Sequence, residues 1–155
     1  MKAAIITLIT TASLVTAASA ADGSFESGEF SVSLFGNWVD KDDSDLAPGA
    51  GLTYYFTKHI GVGAFTHWDN FDGKFIDNFS AEAHFRFPLG DIPLAPYGLA
   101  ALGYSFETEE TFEALGGGAE WRFNDKWGAF GDVRWQFNND TDDGVAIRAG
   151  VRLTF

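Results

Sequence analysis

Val145-Ala146-Ile147-Arg148-Ala149-Gly150-Val151-Arg152-Leu153-Thr154-Phe155 alternates without a break to the last residue. Its odd positions are Val, Ile, Ala, Val, Leu and Phe, and its even positions are Ala, Arg, Gly, Arg and Thr. As a β-strand it carries one apolar face and one polar, arginine-bearing face, whereas a helix would mix the two sets on every side. A strand this long, ending on an aromatic, must pair fully or present a flat, aggregation-prone edge. Closing the sheet into a barrel removes that edge.

Working back from this stretch, seven more strands are predicted, over about 29–39, 49–56, 60–68, 78–87, 95–106, 111–123 and 127–137. Each alternates and is bounded by turn residues, the pattern of an all-β chain. Phe30, Val32, Leu34, Gly36 and Trp38 oppose Ser31, Ser33, Phe35 and Asn37. Phe79, Ala81, Ala83, Phe85 and Phe87 oppose Ser80, Glu82, His84 and Arg86. The stretch 95–106 is rich in Gly and Ala on both faces, and its facing is left open.

The breaks alternate in kind. Asp40 to Asp45 (with Pro48 after it), Asp69 to Lys74, Glu107 to Glu110 and Asn138 to Gly144 are acidic and mostly longer. Thr57-Lys58-His59, the segment with Pro88, Gly90 and Pro93, and Asn124-Asp125-Lys126 are short or proline-bound. An eight-stranded antiparallel up-and-down transmembrane β-barrel of a bacterial outer membrane has this layout, with longer loops outside and short turns in the periplasm.

Charge supports the same arrangement. The formal net charge of −12 argues against nucleic acid and against a polybasic membrane-surface mode. All five arginines lie inside alternating stretches, while Lys41, Lys58, Lys74 and Lys126 lie in the breaks. The face predicted to point inward carries Glu82, Arg86, Glu120, Arg122, Asp132, Arg134, Arg148 and Arg152, and the other face is bulky and apolar. A water-soluble barrel or sandwich would reverse the two. Trp38, Trp68, Phe87, Trp121, Trp127, Trp135 and Phe155 are expected as membrane-interface aromatics, because most of them fall near strand ends.

The first twenty residues read as a cleaved signal peptide: Lys2, a short apolar core over 3–17, and the small-x-small site Ala18-Ser19-Ala20. Thr7, Thr10, Thr11, Ser13 and Thr16 make this segment too short and polar for a membrane-spanning helix. Residues 21–155 are then one barrel domain. With no cysteine there is neither a disulfide nor a lipoprotein anchor.

An eight-stranded barrel is barely wide enough for side chains, so the five arginines are expected to meet Glu82, Glu120 and Asp132 in a buried ion-pair network that plugs the lumen. A narrow ion path is the competing reading. Gly61, Gly63, Gly116, Gly118, Gly128 and Gly150 on the same face read as room for the long arginine side chains. If His67 pairs with Ser80, His84 falls opposite Gly63, about 14 Å from His67 and too far to share a metal. His67, Ser80 and Asp69 or Asp77 at the outer rim are the candidates for a lipid-modifying enzyme, although no His-x-Ser motif of the lipid A deacylase kind is present. The acidic runs Asp40 to Asp45 and Asp140 to Asp143 lack EF-hand spacing and read as solvated loops. No catalytic, cofactor or metal site is therefore expected.

Tyr97-Gly98-Leu99-Ala100-Ala101-Leu102-Gly103-Tyr104, the run Gly116-Gly117-Gly118-Ala119-Glu120-Trp121-Arg122-Phe123-Asn124-Asp125-Lys126-Trp127 and the terminal strand resemble the small outer-membrane barrels of the OmpA/OmpX and opacity-protein type. The resemblance implies insertion by the outer-membrane assembly machinery, with Phe155 resembling the terminal-aromatic assembly signal. It also implies a non-enzymatic monomer among outer-membrane lipid and lipopolysaccharide, with a structural or surface-interaction role. No peptidoglycan-binding domain follows the barrel and the loops are shorter than those of adhesin relatives, so neither cell-wall tethering nor host adhesion is expected.

Overall fold

Alternation at period two yields eight strands in the computed structural model, which describes residues 25–39, 46–68, 77–106, 108–139 and 143–155. They are β1 (Glu29–Val39), β2 (Leu46–Tyr55), β3 (Ile60–His67), β4 (Asn78–Arg86), β5 (Leu94–Ser105), β6 (Glu110–Arg122), β7 (Trp127–Asn138) and β8 (Gly144–Thr154). Each pairs antiparallel with the next, and β8 returns to β1 to close the barrel. Closure reaches the last residue: the Phe30 and Phe155 amides each donate to the other's carbonyl, at 3.2 and 2.8 Å. No edge remains for another chain to extend. No described helix is long and apolar enough to cross a membrane, which has no bearing on strands. The expected signal peptide and the acidic runs 40–45 and 140–142 lie outside the described residues.

Two tight turns are closed by a polar side chain standing in for a backbone acceptor. Thr57 Oγ1 accepts the His59 and Ile60 amides at 3.1 and 3.0 Å, and Asn124 Oδ1 accepts the Lys126 and Trp127 amides, both at 2.9 Å. These turns lie at the end of the barrel where both β1 begins and β8 finishes.

Inward and outward positions follow strand parity. Along β4, Asn78, Ser80, Glu82, His84 and Arg86 are buried and Phe79, Ala81, Ala83 and Phe85 are exposed. On the outside lie Leu34, Leu52, Val62, Leu102, Leu115, Val133, Ile147 and Val151, while five arginines are buried inside. The hydrophobic effect cannot hold such an outer face in water.

The structure departs from three sequence expectations. First, β2 begins at Leu46 rather than Gly49 and contains Pro48. Pro48 opposes Gly36 of β1, and its carbonyl accepts the Trp68 amide at 2.9 Å. A residue's N–H and C=O point to the same side of a strand, so the missing donor faces β3 where that ladder ends and costs no bond to β1. Second, Ser80 pairs with Phe65, not His67, and His84 pairs with Gly61. The slip of two residues preserves every facing and moves His67 about 7 Å further from His84 along the strands. Third, the inward glycines serve more than the arginines. A Cβ on Gly63 would lie 2.5 Å from the Phe65 ring, on Gly61 2.6 Å from Tyr55, and on Gly150 2.2 Å from the Leu34 carbonyl oxygen and 2.6 Å from Phe35 Cβ. On Gly118 it would lie 2.0 Å from the Gly131 carbonyl oxygen, so β6 and β7 approach more closely there than any side chain permits. Of the inward glycines, arginine atoms come near only at Gly116 and Gly128, and there too a backbone carbonyl oxygen, of Val133 at 2.3 Å and of Trp121 at 2.9 Å, is closer.

Candidate functional site in the barrel lumen

Strand parity aims the charged residues at one another, and barrel closure decides which of them meet. Glu82 of β4 receives Arg134 of β7 through Nη1 at 2.7 Å and Nη2 at 3.3 Å. It also receives Arg148 of β8 through the corresponding nitrogens, at 3.0 and 3.1 Å. β4 and β8 are four strands apart in an eight-stranded ring, so the Arg148–Glu82 pair crosses the full width of the lumen. Asp132 lies beneath the same two guanidiniums, accepting Arg148 Nη2 at 3.0 Å and Arg134 Nη2 at 3.2 Å. The Tyr97 hydroxyl donates to Asp132 at 2.8 Å, while Ser80 Oγ and His84 Nε2 donate to Glu82 at 3.2 and 3.1 Å. Carboxylates only accept, so His84 carries its proton on Nε2.

A second group lies toward the short turns. Glu29 takes Arg122 as a two-bond fork at 2.9 and 2.7 Å, and Arg86 Nη2 at 2.6 Å. Glu120 accepts Arg122 Nε at 3.0 Å and pairs with Arg152, whose Nε also donates to Ser33 Oγ at 3.1 Å. Arg86 ties this group to the rim, since its Nε donates to the Lys58 carbonyl at 2.7 Å and its guanidinium stacks 3.6 Å above the Tyr55 ring.

Between the two groups stand Phe35, Phe65 and Phe130, the buried apolar cluster of the molecule's described part. Arg148 lies over Phe35 and Phe65 at 5.0 and 4.7 Å, and Arg152 over Phe130 at 4.8 Å. A guanidinium is weakly hydrated and stacks well on aromatic faces, so the rings and the ions pack as one filling.

Of the eight residues predicted for the network, Glu82, Asp132, Arg134 and Arg148 form the first group, and Arg86, Glu120, Arg122 and Arg152 fall in the second. Glu29 was missed, although it shares its parity with Ser31, Ser33 and Phe35. Extending that face by one position would have found it. Tyr97 was missed because the facing of β5 was open; Ala95, Tyr97, Leu99 and Ala101 point inward. Of the rim candidates, Ser80 donates to Glu82 and pairs opposite Phe65 rather than His67; Asp77 is buried just before β4, and Asp69 lies outside the described residues. Among the described residues no group of three or more His, Cys, Asp or Glu is arranged to hold a metal.

The outer aromatics occupy both ends of the strands. Trp121, Trp127, Phe87 and Phe155 are exposed toward the short turns, and Trp135 toward the opposite end, where Trp38 and Trp68 are part-exposed. Phe85 and Phe87 meet at 4.7 Å, Tyr54 and Phe56 at 5.1 Å, and Phe30 and Phe155 at 6.5 Å, all on the outer face.

A closed barrel that is apolar outside and ionic inside belongs to the membrane β-barrels, the class that inverts the water-soluble arrangement. The family model described as the outer membrane protein beta-barrel domain matches residues 7–155, and the chain belongs to that family. The fold resembles the N-terminal barrel domain of Pseudomonas aeruginosa OprF, with a TM-score of 0.67 at 16% identity over 84% of this chain and 99% of that one. It also resembles P. aeruginosa OprG, with a TM-score of 0.57 at 14% identity, covering 86% of this chain and 98% of that one. Yersinia pestis Ail in a phospholipid nanodisc gives a TM-score of 0.55 at 19% identity, covering 83% and 99%. No curated protein matches the chain in sequence. The family points to the outer membrane.

Proposed function

We propose that the protein is a monomeric, non-enzymatic barrel that spans the outer membrane with its lumen closed to solutes, serving the envelope as a structural or surface element. The observation that carries this reading is the Arg148–Glu82 pair, joined by bonds of 3.0 and 3.1 Å between opposite walls. A path for solutes would have to part these charges in a medium where separation is costly. The aromatic ends of the outer face suit the two interfaces of a bilayer, and the apolar band between them suits its lipid tails. Purified protein refolded in lipid is expected to show little steady single-channel conductance and no solute-driven swelling of liposomes. A stable, ion-selective conductance of the monomer would favour a channel instead, and lipid hydrolysis by the same sample would favour an enzyme.

The same reading gives Phe155 a role in assembly. The residue is 69% exposed, yet its backbone closes the seam against Phe30. Deleting Phe155 is expected to lower the amount of folded, heat-modifiable barrel in cells several-fold while export continues. An unchanged ratio of folded to unfolded bands on unboiled gels would remove that role.

A further inference from the structure

The ion-pair layers leave a set of buried polar atoms without a hydrogen-bond partner among the described residues: Thr53 Oγ1, Tyr55 Oη, His84 Nδ1, Arg86 Nη1 and Arg152 Nη2. Their residues are at most 2% exposed. Burying such groups without a partner is costly, and more so for charged ones. So many together at one place call for an occupant.

They do lie together. Thr53 and Tyr55 are successive inward positions of β2, and His84 and Arg86 of β4, with Tyr55 opposite Gly61 and Gly61 opposite His84. The Tyr55 and His84 rings meet edge-on at 6.4 Å, and the Arg86 guanidinium covers Tyr55 at 3.6 Å. Arg152 comes from β8 across β1, bonded to Ser33, which lies opposite Gly51, the inward position of β2 next to Thr53.

We propose that this place is a binding site for a small monovalent anion of halide size, held by Arg152 Nη2, Arg86 Nη1 and the hydroxyls of Tyr55 and Thr53. Two guanidinium edges and two rotatable hydroxyls are all able to donate, and a halide accepts from every one of them. Water would also take these bonds but would bring no charge. Charge matters here because Arg86 and Arg152 each share their carboxylate, Glu29 in one case and Glu120 in the other, with Arg122. A carboxylate divided between two guanidiniums offsets each only in part. His84 Nδ1 is the exception in the set, an acceptor while Nε2 holds the proton, and it stays outside the anion's shell. The inference goes beyond the closed-lumen reading and does not depend on whether the barrel conducts.

The test uses sodium chloride, sodium bromide and sodium gluconate at matched ionic strength on the full mature protein refolded in detergent. Chloride and bromide are expected to raise the folding equilibrium constant in proportion to one plus the ratio of halide concentration to dissociation constant, about tenfold at ten times that constant, while gluconate does not. The gain should vanish in Tyr55→Phe, which keeps the ring under Arg86 and removes only the hydroxyl. Crystals grown with bromide should show anomalous density within hydrogen-bond distance of Arg152 Nη2. Equal effects of the three salts on the wild-type protein would overturn the site whether or not the variant folds. So would water at that position in bromide crystals, or bromide density with no halide-specific stabilisation, which would mark an adventitious ion only.

Discussion

Glu82→Gln is expected to destabilise the barrel by about 3–5 kcal/mol, the cost of breaking a buried ion pair by removing one partner. Glu82 is fully buried and accepts from Arg134, Arg148, Ser80 and His84. Glutamine keeps its shape but leaves Asp132 alone to offset two guanidiniums, and its amide nitrogen would face donors. Equilibrium urea unfolding in lipid vesicles measures the effect. Adding Arg148→Met should restore part of the loss, because the second guanidinium then no longer lacks a partner. A loss for Glu82→Gln below about 1 kcal/mol, the range of exposed pairs, would mean that the lumen is wet enough to screen these charges.

Val133→Arg is expected to cost about 2–4 kcal/mol if Val133 meets lipid near the bilayer midplane. The residue is 44% exposed on the outer face, near the middle of β7, beside Gly117 of β6 and Ile147 of β8. Its neighbour Arg134 points the other way and is buried. Phe137→Arg, four residues along the same face toward the strand end, should cost only about 0–1 kcal/mol for the charge, since a guanidinium near the interface reaches water. This gradient is specific to a bilayer. Equal costs at both positions would oppose the membrane-spanning reading, and lipid-phase labelling of Arg134 in place of Val133 would reverse the facing.

How much of this was legible beforehand differs from strand to strand. β1 and β4 alternate between residues of very different polarity, so their extents and facings could be read directly. β5 could not be read this way, because Leu94, Gly98 and Ala100 on one face and Ala95, Leu99 and Ala101 on the other look alike to any local pattern. Its facing is decided by its neighbours: pairing with β4 and β6 puts Tyr97 across from Arg86 and Gly118, on the inner side. The strand boundary at Pro48 was misplaced for a related reason. A proline is costly in a strand only where its missing N–H would have had a partner, and that depends on where β3 stops.

The sequence by itself determined the eight alternating segments, the short and long connections between them, and the side on which each arginine falls, because side-chain parity is a local property of a pleated strand. Tertiary structure alone decided which charges pair. Closure of β8 onto β1 puts β4 opposite β8, and the register of the strand pairings sets the level at which Arg148 reaches Glu82 from 66 positions away. It also slid Ser80 from His67 to Phe65, a shift of two residues that parity cannot detect because every side chain keeps its face.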